Sequence, residues 1–144
     1  MQDKVAAVLI GMGSNIDAEK NLIMAAARLR TLFSDTQFSS VYQSAAIGMD
    51  GADFLNSCCL LQSDLSQNAL RLQLKSLEDE QGRDRSLGSW KPRTLDLDLL
   101  IYHGQVVDDE LYCYAHACVP AAELVELELP LSLQGKLTPV VLRL

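Results

Sequence analysis

An α+β fold, one antiparallel sheet with its helices packed on one face, is what this sequence predicts. Two observations carry the prediction. Stretches of two-residue apolar alternation and stretches of helical spacing succeed each other in the order β-α-β-β-α-β. That order is the split βαβ, or ferredoxin-like, arrangement, here followed by short C-terminal additions. The second observation is composition: 144 residues, 49% apolar and 22% charged, suffice for a real core in one domain over residues 1–144.

The first strand is read over Lys4 to Gly13. Val5, Ala7 and Leu9 alternate with Ala6, Val8 and Ile10, and apolar residues on both faces place it centrally in the sheet. Gly11-Met12-Gly13-Ser14-Asn15 then reads as a tight turn, with Asp17 as the cap of the next helix. That helix carries Leu22, Ile23, Ala26, Leu29 and Phe33 at helical spacing. Gln37 to Ser44 is read as one strand from Phe38, Val41 and Tyr42. Ala45 to Asp53, with Gly48 and Gly51, is a loop, and Phe54 to Gln62 a third strand. Ser66 caps a second helix with Leu70, Leu74 and Leu77 inward, and Gly82 stops it. Arg83 to Lys91 has no apolar period and reads as a loop.

Thr94 to Tyr102 is the fourth main strand, ended by a turn at His103-Gly104 in which His103 is taken as solvated. Val106 to Tyr114 is read as one or two short edge strands. Pro120 is read as opening a helix through Glu126, and the tail from Pro130 as extended.

The charge of -7 argues against a nucleic-acid binder. No apolar run is long enough to span a membrane, and the opening Met1-Gln2-Asp3-Lys4 has no signal-peptide pattern, so a cytoplasmic location is expected. Cys58, Cys59, Cys113 and Cys118 are read as reduced.

The chemistry concentrates around residues 83–98. Leu95, Leu97 and Leu99 fall on one side of the fourth strand; Asp96 and Asp98 fall on the other. Two carboxylates in register on one strand face repel each other, so a cation between them is expected. Magnesium is the natural candidate, because it is commonly held by one or two carboxylates plus substrate phosphates. Arg83, Arg85, Lys91 and Arg93 form a cationic run beside the pair and suit phosphate oxygens. Phe54 and Asn56 share one strand face, and an aromatic plate plus an amide fork would suit a flat heterocycle. Cys113, His116 and Cys118 lack a second ligand pair at zinc spacing, so His116 is placed as a phosphate donor or acid.

The segment Trp90-x-Pro92-Arg93-Thr94-Leu95-Asp96-Leu97-Asp98 resembles the hallmark of the 6-hydroxymethyl-7,8-dihydropterin pyrophosphokinase (HPPK) family of folate biosynthesis. Gly13-Ser14-Asn15, Phe54-Leu55-Asn56, Glu78, Gln81-Gly82-Arg83 and His116 resemble further family segments in the same order. The resemblance implies transfer of pyrophosphate from ATP to the dihydropterin hydroxymethyl group, with release of AMP. It implies that Asp96 and Asp98 hold two magnesium ions. Arg83 and Arg93 would bind phosphate oxygens as catalytic residues. His116 would contact the phosphates and Trp90 would sit in a closing loop; together with Glu78 and with Arg85 and Lys91 of the cationic run they are expected to serve the nucleotide. Phe54 would stack on the pterin, Asn56 would bond its edge, and the backbone from Ser44 to Ile47 would meet the ring. A monomer with ATP and a dihydropterin as its partners is expected. The stretch His116 to Leu124 lacks the arginine and the aromatic that the resemblance would place there. The alternative reading is therefore a relative that binds nucleotide or pterin with little turnover.

Overall fold

The computed structural model describes residues 7–45, 52–82, 95–127, 133 and 135–144. In chain order these contain β1 (Ala7–Ser14), α1 (Ala18–Leu32), β2 (Ser34–Phe38), β3 (Val41–Ser44), β4 (Phe54–Gln62), α2 (Gln67–Glu80) and β5 (Asp96–Tyr102). The chain continues with β6 (Gln105–Val106), α3 (Glu110–Cys113), α4 (Ala115–Ala122) and β7 (Thr138–Val140). The sheet order is β6-β5-β1-β4-β3-β7, and β2 also pairs with β4. Every pairing is antiparallel. The four central strands, β5-β1-β4-β3, have the ferredoxin-like order that the alternation of periods predicts.

The long helices form where their apolar stripes predict, except that Ile23 of α1 is exposed and Phe33 lies just beyond the helix in extended backbone. Ser66 accepts the Ala69 N–H through its side chain (3.1 Å) and so caps α2. Gly82 (φ 90°) ends it in a conformation that suits a residue without Cβ. Leu22, Ala25 and Leu29 of α1 and Leu70, Leu74 and Leu77 of α2 bury against Val8, Ile10, Leu61, Leu97 and Leu99. Each such leucine contributes about 1.5–3 kcal/mol relative to exposure. Both long helices therefore cover one sheet face. The other face is covered at one end only, where Leu9, Cys58 and Leu100 pack against Leu111 of α3 and Ala121 of α4. Cys58 and Cys59 point to opposite faces and are buried in these two separate layers, whereas Cys113 is exposed.

Several local expectations are corrected. The predicted glycine turn is strand: β1 runs on through Gly11, Met12 and Gly13, paired on both sides. Asp17 occupies the start of α1 with left-handed backbone (φ 44°) and makes no side-chain cap. Asn21 instead donates to the Ile16 carbonyl at 2.6 Å. The single strand expected over 37–44 is two strands. They are interrupted at Ser39, whose Oγ accepts the Cys58 N–H (2.8 Å) and lies 2.9 Å from Ser57 Oγ.

His103 is not merely solvated. Its ring stacks on Tyr102 with centroids 3.8 Å apart, and its Nε2 lies 3.0 Å from the Ser63 carbonyl oxygen. Past β6, the chain forms α3 rather than a further edge strand, with Asp108 Oδ1 accepting the Glu110 N–H. The last helix begins at Ala115, not Pro120, which lies inside it. The extended tail is present as β7 on the edge of β3. The Arg83–Lys91 loop lies outside the described residues.

Candidate active site

The uncovered end of the second sheet face is built by register. Gly11 lies opposite Asp98 on one side and Cys58 on the other; Gly13 lies opposite Asp96 and Asn56. Tyr42 faces Asn56, and Ser44 faces Phe54. Residues directly opposed in antiparallel strands share a face. One surface thus carries Phe54, Asn56, Asp96 and Asp98, with glycine between the amide and the carboxylates. A Cβ on Gly13 would sit 3.4 Å from Asn56 Oδ1 and 3.6 Å from the Phe54 ring, filling this floor. A Cβ on Gly11 would come within 3.1 Å of Leu100.

Above the floor is a cavity of about 360 Å³, walled by Glu110, Tyr114, His116 and Ala117. A second cavity, about 630 Å³, lies against α2 and is lined by Asn68, Arg71, Lys75, Glu78 and Asp108 among others. Asp96 and Asp98 line both.

Each expected side chain among the described residues is thereby placed. Asn56 Nδ2 donates to Ser44 Oγ (2.8 Å) and to the Tyr42 carbonyl (3.2 Å), which fixes the amide's orientation. Ser44 is buried and lines the first cavity with Phe54. His116 Nε2 lies 3.7 Å from Glu110 Oε1, and the His116 ring stacks on Tyr114. Glu78 is buried, and its Oε2 accepts the Leu97 N–H at 2.7 Å, between the two aspartates. Ile47, Arg83, Arg85, Trp90, Lys91 and Arg93 lie outside the described residues.

Sequence reasoning missed Glu110, Tyr114, Asn68 and Arg71 as cavity residues. Asn68, Arg71, Lys75 and Glu78 do recur at three- and four-residue intervals, a polar stripe on one helix face that could have been read. Glu110 carries no comparable signal, since a four-residue helix has too few turns to show a face.

Electrostatics single out Asp98. Burial, then the charges of Asp96, Glu110, Asp108 and Glu78, push its carboxyl up to about 8. A cation here would relieve that repulsion. Two carboxylates facing two cavities are a donor set that fits a hard divalent cation whose remaining ligands come from a substrate. Among the described residues, no group of three or more His, Cys, Asp or Glu side chains could hold a metal ion by itself.

A pair of carboxylates lining two cavities on an antiparallel α+β sheet is an arrangement suited to the class of enzymes that join two substrates at an acidic centre. Comparison with known proteins agrees and is more specific. Residues 9–130 match the sequence model of the family described as 7,8-dihydro-6-hydroxymethylpterin-pyrophosphokinase (HPPK). A 2-amino-4-hydroxy-6-hydroxymethyldihydropteridine pyrophosphokinase of Haemophilus influenzae is 34% identical over 111 residues, 74% of this chain and 69% of the relative. A protein of the same name from Aquifex aeolicus is 32% identical over 114 residues, 78% of this chain and 71% of the relative. A folate synthesis bifunctional protein of Chlamydia muridarum is 28% identical over 145 residues, 92% of this chain but 30% of the relative. The chain belongs to the HPPK family. No helix among the described residues is long and apolar enough to cross a membrane.

Proposed function

We propose that this chain transfers the pyrophosphoryl group of ATP to the hydroxymethyl oxygen of 6-hydroxymethyl-7,8-dihydropterin and releases AMP. The observation that supports it best is the sharing of Asp96 and Asp98 by two cavities of different character. The smaller, with Phe54 and Asn56, would take the pterin. The larger, beside Arg71, Lys75 and Glu78, would take the nucleotide.

The residues divide the work by chemistry. Phe54 offers a ring face for stacking, and Asn56 turns its oxygen toward the Gly13 side because its nitrogen is spent on Ser44 and Tyr42. These hold the hydroxymethyl group toward the aspartates. The pterin oxygen attacks the β-phosphorus of ATP, the bond from that phosphorus to the oxygen of AMP breaks, and the hydroxyl proton passes to solvent. Asp96 and Asp98 would hold magnesium, two ions by the resemblance above, and the metal would screen phosphate charge and polarise the reacting phosphorus. His116, on the wall of the smaller cavity, would meet a phosphate oxygen. Arg83 and Arg93 would add charge from the segment joining α2 to β5, with Arg85, Lys91 and Trp90 in the same segment; Ser44 and Ile47 would border the pterin. Catalysis of this kind rests on alignment and charge neutralisation.

The second reading, binding with little turnover, draws on the end of α4. Ala122 and Leu124 stand there, and Leu124 packs into the apolar layer under α3 and α4. Purified protein with magnesium, ATP and the dihydropterin separates the two. AMP production that requires the dihydropterin is the expected result. Binding of both ligands without AMP above background would replace the first reading with the second.

A further inference from the structure

We propose that Glu123 is a positioning residue, a clasp that fastens the end of α4 to β3 and so sets the fit of the pterin cavity. The inference rests on the reading of the Phe54–Asn56 cavity as the pterin site. Glu123 is the residue that caps α4. One carboxylate oxygen accepts the Ser40 N–H at 2.9 Å, and the other accepts the Tyr42 hydroxyl. That hydrogen bond, with burial and the carboxylate charge, pushes Tyr42 up to about 12, so it remains a donor at any working pH.

Tyr42 is joined to the cavity by its other end. Its carbonyl accepts from Asn56 Nδ2, the amide that the pterin edge would meet. Glu123 is thus two hydrogen bonds from the cavity floor through a single residue. It is equally linked to the wall. With eight residues, α4 is about 12 Å long, and its first turn carries His116 and Ala117 over the cavity. Glu123 directly follows this short helix, so fastening it limits where the helix can lie against the sheet. Its interior is weak, because Pro120 cannot donate to the carbonyl four residues back. The support has to come from outside the helix. Besides apolar packing it comes from the Cys58 thiol, which donates to the Ala117 carbonyl at 3.7 Å, and from Glu123.

The test uses Glu123→Ala, Tyr42→Phe, their double variant and Glu123→Gln. Glutamine can keep both contacts, accepting from Ser40 through its oxygen and donating to the Tyr42 hydroxyl through its nitrogen. Titration calorimetry measures the dihydropterin with magnesium and a non-hydrolysable ATP analogue present, and the analogue by itself. Each of the two deletions should weaken dihydropterin binding about tenfold while analogue binding changes by less than roughly twofold. The double variant should bind no more weakly than Glu123→Ala, because that deletion already removes the one bond that Tyr42→Phe removes. Glu123→Gln should bind like the parent. If Glu123→Ala does not fold, Tyr42→Phe, which removes one hydroxyl, carries the test by itself. Unchanged dihydropterin binding, equal weakening of both ligands, or additive losses in the double variant would overturn the clasp and leave the site reading standing. A parent chain that binds no dihydropterin would overturn both.

Discussion

Replacing Asp98 by asparagine will abolish pyrophosphoryl transfer and, in magnesium-free buffer, make the folded protein more stable. The two effects have one origin. Asp98 is held in a partly buried place among Asp96, Glu110, Asp108 and Glu78, and its carboxyl is pushed from 3.8 up to about 8. Between those values the folded chain keeps a proton that the unfolded chain releases. Stability therefore falls as pH rises from about 4, and keeps falling until Asp98 ionises in the folded state near 8. Asparagine has no charge to repel, so this part of the pH dependence disappears. Thermal melts at pH 6 and pH 8.5 should show the variant above the parent at both, by more at the higher pH. A shift of roughly 3–5 °C corresponds to about 1 kcal/mol in a chain of this size. The cost is catalytic: on the order of a thousandfold or more in AMP production, as expected when charge neutralisation is lost from a site of this type. Asp96→Ala should lose activity on the same scale. A variant of Asp98 that keeps full activity would refute its assignment as a cation ligand.

Glu78→Ala should lose both stability and activity. The outer edge of β5 is paired by β6 only at Ile101 and Tyr102, so the Leu97 amide needs another partner. Glu78 supplies it from α2, at 2.7 Å. Alanine would strand a buried N–H that now bonds to a carboxylate oxygen, a loss of about 2 kcal/mol, or roughly 6–10 °C in the melting temperature. Leu97 lies between Asp96 and Asp98, so the same loosening reaches the site. A displacement of about 1 Å in aligned groups can cost a hundredfold in rate. Glu78→Gln retains an acceptor and removes one of the charges that burden Asp98. It should keep the fold and most of the stability. If Glu78→Ala melts like the parent, Glu78 does not hold the edge of β5.

The aspartate pair could be read from sequence because a strand separates its side chains by a period of two. The three leucines identify one face, and the carboxylates must then share the other. Phe54 and Asn56 were readable for the same reason. Gly11 and Gly13 were misread as a turn because their purpose lies in other strands. Only the neighbours Asp96, Asp98 and Asn56 show that the glycines keep a floor open. Helix α4 was misplaced because Ala115 to Ala122 is almost wholly apolar and small, so it presents no stripe, and its one proline suggests a start. The division between β2 and β3 depends on Ser39 finding Cys58, a contact that local sequence does not announce.

The placement of the cysteines bears on how the molecule can be followed experimentally. Thiol chemistry requires the thiolate, and burial holds Cys58 well above the usual thiol range and Cys59 up to about 12. Cys118 is buried and raised as well. Cys113 alone is exposed. A maleimide dye would therefore attach at one place without any engineered substitution. That place is the end of α3, the short helix whose first residue, Glu110, and whose neighbour Tyr114 wall the smaller cavity. The native chain thus carries its own attachment point for a fluorescent reporter of ligand entry.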